Sequence, residues 1–544
     1  MPQAIMPGRA AISWTNCNKN AVRYEIFNHK GKNMRIALIA DLHLSDVEST
    51  PQEEALDWAL EALQHLQPDA CAWLGDITAC GDPDAASRFC EKLQALPFPS
   101  LTVPGNSDIR TPGTAPLLRR FLCNYPRGLR VGEVCLLGID TADDHISEGE
   151  RERLSRVTEG ADILLCSHQP AKYLDENSRT FLKNWIAARE KKGQRILLWA
   201  SGHRHVYEQG ELEGVPTVSL RALDPDKCIR GTAQILVFDT VKGLSCLEEV
   251  CYTRGMPEAW SDAERAELAD ALGITCYNRS KAERDMPFAI ANGVRHLEWR
   301  SIGEGELALL ERWRKSGGKT FSLHLPSLGF DTDVLHKEKF RASAQDAVRA
   351  EADMVTVHPP HLSTALMQSG SNAFEALADA MAEALLPVAR AGIDILVENN
   401  HTLPGTKRDI LKLPYGCTPM DILGWRNALR ERLGADSCHL RLDVGHARNN
   451  MPLSQEYPIG KWYAQIGPLA NAYHLHQTVF SKEDKKMHNH HPITGWHNGF
   501  VSFDGFLWAW HAKILHHGPV ILEIREGEGA PATWMRLQKL LCGE

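Results

Sequence analysis

No run of about 18 apolar residues occurs in the 544-residue chain, which excludes a helical membrane span. An excess of positive charge is missing too: 60 Lys and Arg stand against 69 Asp and Glu, for a formal net charge of −9. Such a balance gives no general attraction to nucleic acid, although a local basic groove is compatible with it. The 14 Cys show no paired short spacing such as C-x-x-C. That removes Cys-based zinc sites and disulfide frameworks and leaves scattered thiols, as in a reducing cytoplasm. Residues 1–33 lack the charged start, apolar core and small-residue cleavage site of a secretory signal; they read as a polar extension, with Met34 a candidate start. Low-complexity tracts and short repeats are absent.

What is present is the composition of a soluble globular protein, 43% hydrophobic and 24% charged. Its length is too great for one core and predicts two domains. The 24 His are the unusual count, and many stand at the ends of apolar runs. A first module, 34–255, alternates short β-rich runs with helical stretches: Arg35–Ala40, Ala70–Leu74, Ser100–Val103, Val134–Ile139, Ile163–Cys166, Ile196–Ala200 and Gln234–Phe238. That pattern predicts an α/β sheet buried on both faces, with ligands collecting past the strand ends. A polar, Glu- and Arg-rich helical stretch, 256–271, reads as a linker. From 272 to 544 the alternation resumes with eight candidate strands: Gly273–Tyr277, Val294–Trp299, Thr320–His324, Met354–His358, Ile393–Glu398, His439–Asp443, Ala472–His476 and Val520–Glu523. Their count and the segment's length predict a (β/α)8 TIM barrel, whose C-terminal strand ends open on one face.

Five motifs follow strand-like runs of the first module in order: Asp41-Leu42-His43, Gly75-Asp76, Gly105-Asn106-Ser107-Asp108, His168 in Cys-Ser-His-Gln, and Gly202-His203-Arg204-His205. Mixed carboxylate, amide and imidazole donors suit two divalent cations that clamp a phosphoryl group. Singly each motif is weak, since a lone Gly-Asp is usually a turn. The ordered series resembles the signature of the calcineurin-like metallophosphoesterases and covers the whole module. That resemblance implies a four-layer sandwich in which Asp41, His43, Asp76 and His205 hold one metal. Asp76, Asn106, His168 and His203 would hold the second, with Asp76 bridging and the metals Mn, Fe or Zn. Asp76 and Asn106 are the catalytic candidates. The family's His after the Asn is here Ser107, which cannot act as a general acid near neutral pH. His145 and Asp108 are the candidates to replace it.

The second module places His324, His358, Glu398, Asp443, His446, His474, His490 and Glu523 at or just past strand ends. A lone His at a strand end is usually a hydrogen-bonded structural residue, and His296, His361, His401, His511 and His517 are read so. His476, His491 and His497 stand between the two classes. Eight acid and imidazole groups converging on one face favour metal. The set resembles the xylose-isomerase-like barrels, and within them the endonuclease-IV-like branch with its zinc cluster. The resemblance implies up to three Zn on those eight residues and His488, which stands where the family has an Asp. Glu398 and Glu523 would hold an activated hydroxide and are the catalytic candidates.

The implied function is a metal-dependent phosphoester hydrolase with two sites, acting on a small-molecule or nucleotide diester. The cobamide nucleotide loop, cut by related barrels, is one such diester. Two alternatives stay open for the barrel: a sugar-phosphate isomerase or epimerase, and an abasic-site DNA endonuclease. Nucleic acid is not the favoured partner, because the chain is acidic overall, and a membrane partner is not expected.

Overall fold

The computed structural model describes residues 33–111, 128–157, 161–225, 227, 233–252, 260–276, 279–327, 334–368, 370–402, 413–450, 453–481, 486–494, 501, 503–525 and 529–543. The extension 1–32, His497 and most of the basic loop after Glu398 lie outside these residues.

The N-terminal module contains β1 (Arg35–Ile39), β2 (Ala70–Leu74), β3 (Ser100–Val103), β4 (Leu129–Val131), β5 (Val134–Ile139), β6 (Asp162–Ser167), β7 (Ile196–Ser201), β8 (Glu208–Leu212), β9 (Val215–Ser219), β10 (Ala233–Asp239) and β11 (Gly243–Tyr252). They form two sheets, ordered β11-β10-β1-β2-β3 and β4-β5-β6-β7-β9-β8. Strand alternation explains the layering. In β1, Ile36 and Leu38 point between the sheets, toward Leu136 and Leu164. Ala37 and Ile39 point the other way, onto Ala55, Leu56, Ala59 and Leu63 of the helix Pro51–Leu66. The second sheet carries Leu154, Leu182, Trp185 and Ile186 of its own helices on its outer face. Both faces of each central strand are therefore apolar, and the result is a helix–sheet–sheet–helix sandwich. Full burial of each Leu, Ile or Val contributes roughly 1.5–3 kcal/mol.

The C-terminal module is a closed parallel barrel of β12 (Leu272–Cys276), β13 (His296–Trp299), β14 (Thr320–His324), β15 (Met354–Val357), β16 (Asp394–Glu398), β17 (Cys438–Asp443), β18 (Ala470–Leu475) and β21 (Val520–Leu522). A hairpin of β19 (Gln477–Ser481) and β20 (Lys486–His491) is inserted before the last strand. Leu297, Leu323, Val355, Val397, Leu440 and Tyr473 face the helical ring. Their neighbours face inward by the period of two. At one level these are Met354, Leu396 and Ala472; one step toward the C-terminal mouth they include Glu298, Ser322, Thr356 and Arg441. The next inward positions are the candidate ligands.

The polar stretch before the barrel forms a helix, Asp262–Ala271, capped reciprocally by Ser261 and Glu264. Leu268 and Ala269 join the barrel's core, and Gln538 Nε2 donates to the Ala269 carbonyl at 2.6 Å. Among the described residues no helix is long and apolar enough to cross a membrane.

Candidate metal centres

In the N-terminal module the first centre gathers at the ends of β1, β2, β3, β6 and β7. Asp41, His43, Asp76 and His205 offer ligand atoms within 4.8 Å of one another. Their backbone is bent to do so. Asp41, His43, Asp76, His203 and His205 all have left-handed φ, between 50° and 70°. Outside glycine that region costs roughly 1–3 kcal/mol per residue and collects where side chains must be aimed.

His43 Nε2 lies 3.1 Å from Asp76 Oδ2, and its Nδ1 is 3.4 Å from Asp224 Oδ2. A proton on Nδ1, on the side of Asp224, would leave the Nε2 lone pair facing the centre. On the other side of Asp76, the ring Nδ1 of His168 donates to the Leu74 carbonyl at 3.0 Å. Its Nε2 and His203 Nδ1 both stand 2.9 Å from the Asn106 amide. The amide fits these neighbours in two orientations: oxygen inward as a third lone pair, or turned to donate to both rings with its oxygen 2.8 Å from Arg110 Nη2. With the oxygen inward, three lone pairs converge on one point and the donor set fits a second metal; turned, the amide satisfies both rings by itself.

The charges agree. Burial pushes the Asp41 carboxyl up to about 6. Burial likewise opposes ionisation of Asp76, but His168 and His43 beside it hold it well below the usual carboxylate range. Burial and His168 bring His203 down to about 4, so its imidazole is neutral and free to ligate at pH 7.

Ser107 is fully buried, and its Oγ donates to the Thr78 carbonyl at 2.7 Å. Neither expected replacement joins the centre. Asp108 accepts hydrogen bonds from the backbone N–H groups of Gly105, Ile77 and Thr78 and from the Thr78 hydroxyl, which makes it a loop brace. His145 is exposed beside the Asp143 carbonyl.

The barrel brings together eight of its nine sequence candidates in three groups: His324, His358 and Glu398; Glu398, Asp443, His474 and Glu523; and His446 and His490 with His476. Glu398 joins the first two. Its Oε2 is 3.2 Å from His324 Nε2 and 3.4 Å from His358 Nε2, and its Oε1 is 2.7 Å from His474 Nδ1. His324 Nε2, Glu398 Oε2, Asp443 Oδ2 and Glu523 Oε2 are buried without a hydrogen-bond partner. Buried polar atoms are rarely left so, and cations at these points would satisfy all four. Burial holds His358 down to about 3, in its ligating neutral form. His488 is the ninth candidate. It stands exposed on β20 and belongs to none of the three groups, because the hairpin's register shift and the left-handed His490 turn only the latter inward.

Sequence reasoning missed the supports. His474 Nε2 lies 2.7 Å from both Glu298 Oε1 and Arg441 Nη1, with Glu298 and Arg441 ion-paired and fully buried beneath the ligands. A proton on Nε2 would go to Glu298 and leave Nδ1 facing the carboxylates, whereas Arg441 can only donate to that nitrogen. Arg300 and Arg525, half-buried at the mouth, approach Glu523 Oε1 at 2.5 and 2.9 Å. Inward alternation was the available signal for Glu298 and Arg441; Asp224 has none.

Residues 34–231 match the family model of calcineurin-like phosphoesterases. Over 75 residues the chain is 33% identical to a probable cyclic nucleotide phosphodiesterase of Moraxella catarrhalis (strain BBH18), a match covering 14% of this chain and only 27% of that protein's length. Among solved structures, a D-tagatose 3-epimerase-like protein is similar at 18% identity and a TM-score of 0.35, covering 50% of this chain and 96% of its own. A putative xylose isomerase from Rhodospirillum rubrum is similar at 17% identity and a TM-score of 0.39, with 50% and 98% covered. The N-terminal module is therefore a calcineurin-like phosphoesterase domain, joined in this chain to a closed eight-stranded parallel barrel.

Proposed function

We propose that the chain is a phosphoester hydrolase with two separate metal centres, the barrel opening a phosphodiester and the N-terminal site acting on phosphate esters. The observation that carries the barrel reading is its mouth. Arg300 and Arg525 flank Glu523 beside a ligand set in which His324 and His358 join the shared Glu398. Guanidinium groups there favour a phosphate anion over a neutral sugar, since their planar forks match its oxygens. Cations bound at such centres lower the pKa of a bound water and offset charge on the leaving oxygen. The chain's own part is to aim the imidazoles, through Asp224, Glu298 and backbone carbonyls, and to hold Asp76, Glu398 and Glu523 ionised.

In the N-terminal site no described side chain supplies the proton to the leaving group that Ser107 cannot give. The reading therefore expects good turnover of aryl esters, whose leaving groups need no acid, and poor turnover of alkyl esters. Substrates to try are bis-nitrophenyl phosphate, cyclic nucleotides, in view of the similarity above, cobamides and abasic-site DNA.

Asp76→Ala and Glu398→Ala, made separately in the full chain, assign the activities. Each is expected to abolish one activity, by about 100-fold or more, and to spare the other. Loss of every activity with Asp76→Ala alone would sink the two-centre reading. Isomerisation of a sugar phosphate by the wild type, lost in Glu398→Ala, would replace the barrel part of it.

A further inference from the structure

The third donor group of the barrel, His446, His476 and His490, differs from the other two in having no carboxylate. Its three rings also differ from one another in how they hold their protons. A neutral imidazole that ligates through one nitrogen carries its proton on the other, which then needs an acceptor. His446 meets this with Nδ1 3.1 Å from the Asn399 carbonyl, and His490 with Nδ1 3.1 Å from the Glu523 carbonyl. His324 meets it through the Leu325 carbonyl at 3.0 Å.

His476 is reversed. Its Nδ1 accepts the backbone N–H of His490 at 3.0 Å, so that nitrogen presents a lone pair. The ring proton is then on Nε2, which lies 3.2 Å from Asp443 Oδ1. Among the described residues the Gln477 carbonyl, 3.3 Å from Nδ1, is the acceptor for a proton there, yet that proton would meet the His490 N–H head on. The ring cannot swing away. It is fully buried, and a Cβ added to Gly445 would lie 2.0 Å from its Cε1, so the glycine of Asp-Val-Gly-His is packed flat against it. His490 is itself fixed at φ 64°, the conformation that aims its N–H at the ring.

We propose that His476 is a positioning residue for Asp443 rather than a metal ligand, and that the barrel centre is built on two ions sharing Glu398. This rests on reading the barrel as a metal site. His446 and His490 are left as two neutral imidazoles without an anionic ligand, and the exposed His488 on β20 does not complete them.

The test is metal content, read independently of turnover. Full-length protein is loaded with zinc, dialysed and counted by inductively coupled plasma mass spectrometry, beside His476→Gln and His476→Ala. A glutamine amide can accept from the His490 N–H, as His476 does, and turn its N–H toward Asp443. His476→Gln is therefore expected to keep the wild-type zinc content and affinity. His476→Ala, which leaves Asp443 unheld, should weaken barrel zinc binding by about 10- to 100-fold, the range for supports of ligands. Loss of one zinc equivalent in His476→Gln, or three zinc peaks in the barrel by anomalous scattering, overturns the proposal. A barrel that binds two zincs but hydrolyses no diester would fail the functional reading and leave this one standing.

Discussion

His296 shows how a buried barrel histidine away from the donor groups can be purely structural, and it permits a clean titration. It lies inward on β13, its ring Nδ1 2.6 Å from Thr320 Oγ1, away from the three donor groups. Burial holds its pKa down to about 4, against an ordinary 6.5. The unfolded chain thus takes up a proton that the folded chain refuses between those values. Stability from this residue is fully present above pH 6.5 and is lost as the pH falls toward 4. The gap is worth roughly 3 kcal/mol at most. His296→Gln can still hydrogen-bond Thr320 and has no proton to gain. Urea midpoints measured from pH 7 to pH 5 should fall less steeply in the variant than in the wild type. Parallel slopes would place the acid sensitivity elsewhere, with His203 and His358 next to examine because burial lowers them in the same sense.

Barrel strands make their demands on the residues of one face together. Inward positions of β13, β14, β15 and β17 carry Glu298, Ser322, Thr356 and Arg441, a polar layer directly below the ligands. Ser322 Oγ and Thr356 Oγ1 each donate to Glu298 Oε2 at 3.0 Å, which with Arg441 satisfies that carboxylate. Arg441→Met removes one charge of a fully buried pair and should cost about 3–5 kcal/mol, because Glu298 is left uncompensated. Adding Glu298→Gln should recover a good part of that loss. Thermal unfolding of the two single variants and the double variant measures the coupling, and strictly additive losses would deny it. The strands and most ligands were legible in the sequence for a simple reason: period-two alternation ending in His, Asp or Glu marks both the strand and its mouth. Supports were harder to see. Glu298 and Arg441 sit where alternation puts an inward residue, but a lone Glu or Arg there carries no motif. That His490 turns inward while His488 stays exposed goes with the register shift of the β19–β20 hairpin and the left-handed φ of His490, which no spacing reveals. In the sandwich, Asp224 follows β9 without any pattern of its own, and reaches His43 only because Leu223 and Asp224 donate their backbone N–H groups to Ala40 and Asp41.

The two modules touch, and the contact runs into the N-terminal metal centre. Thr50 caps the helix Pro51–Leu66, and the first turn of that helix meets Gly460 of the barrel's helix Ile459–Ile466. A Cβ on Gly460 would lie 2.5 Å from Gln52 Oε1, 2.9 Å from Pro51 Cδ and 3.3 Å from Thr50 Cβ. Gln52 Nε2 in turn donates to Asp224 Oδ1 at 2.9 Å, and Asp224 faces His43. The adjacent Lys461–Asp46 ion pair, 2.8 Å long, is partly exposed and adds under about 1 kcal/mol, so packing rather than charge carries the contact. A side chain at 460 must therefore displace Gln52, because the proline ring and the capping threonine cannot move without unwinding the helix start. Gly460→Val should loosen the hold of Asp224 on His43 and weaken metal binding in the N-terminal centre by about tenfold, the lower end for loss of such a support. Zinc binding by the barrel should stay unchanged. Gln52→Ala, which cuts the same chain without touching the barrel, should reproduce the effect. Competition with a chelator of known affinity, followed in Glu398→Ala protein so that the N-terminal centre dominates the signal, reads the difference directly. Equal affinity in Gly460→Val and its parent would mean that the modules are neighbours without communicating; a tenfold loss shared by both variants would make a barrel residue part of the phosphoesterase's own metal site.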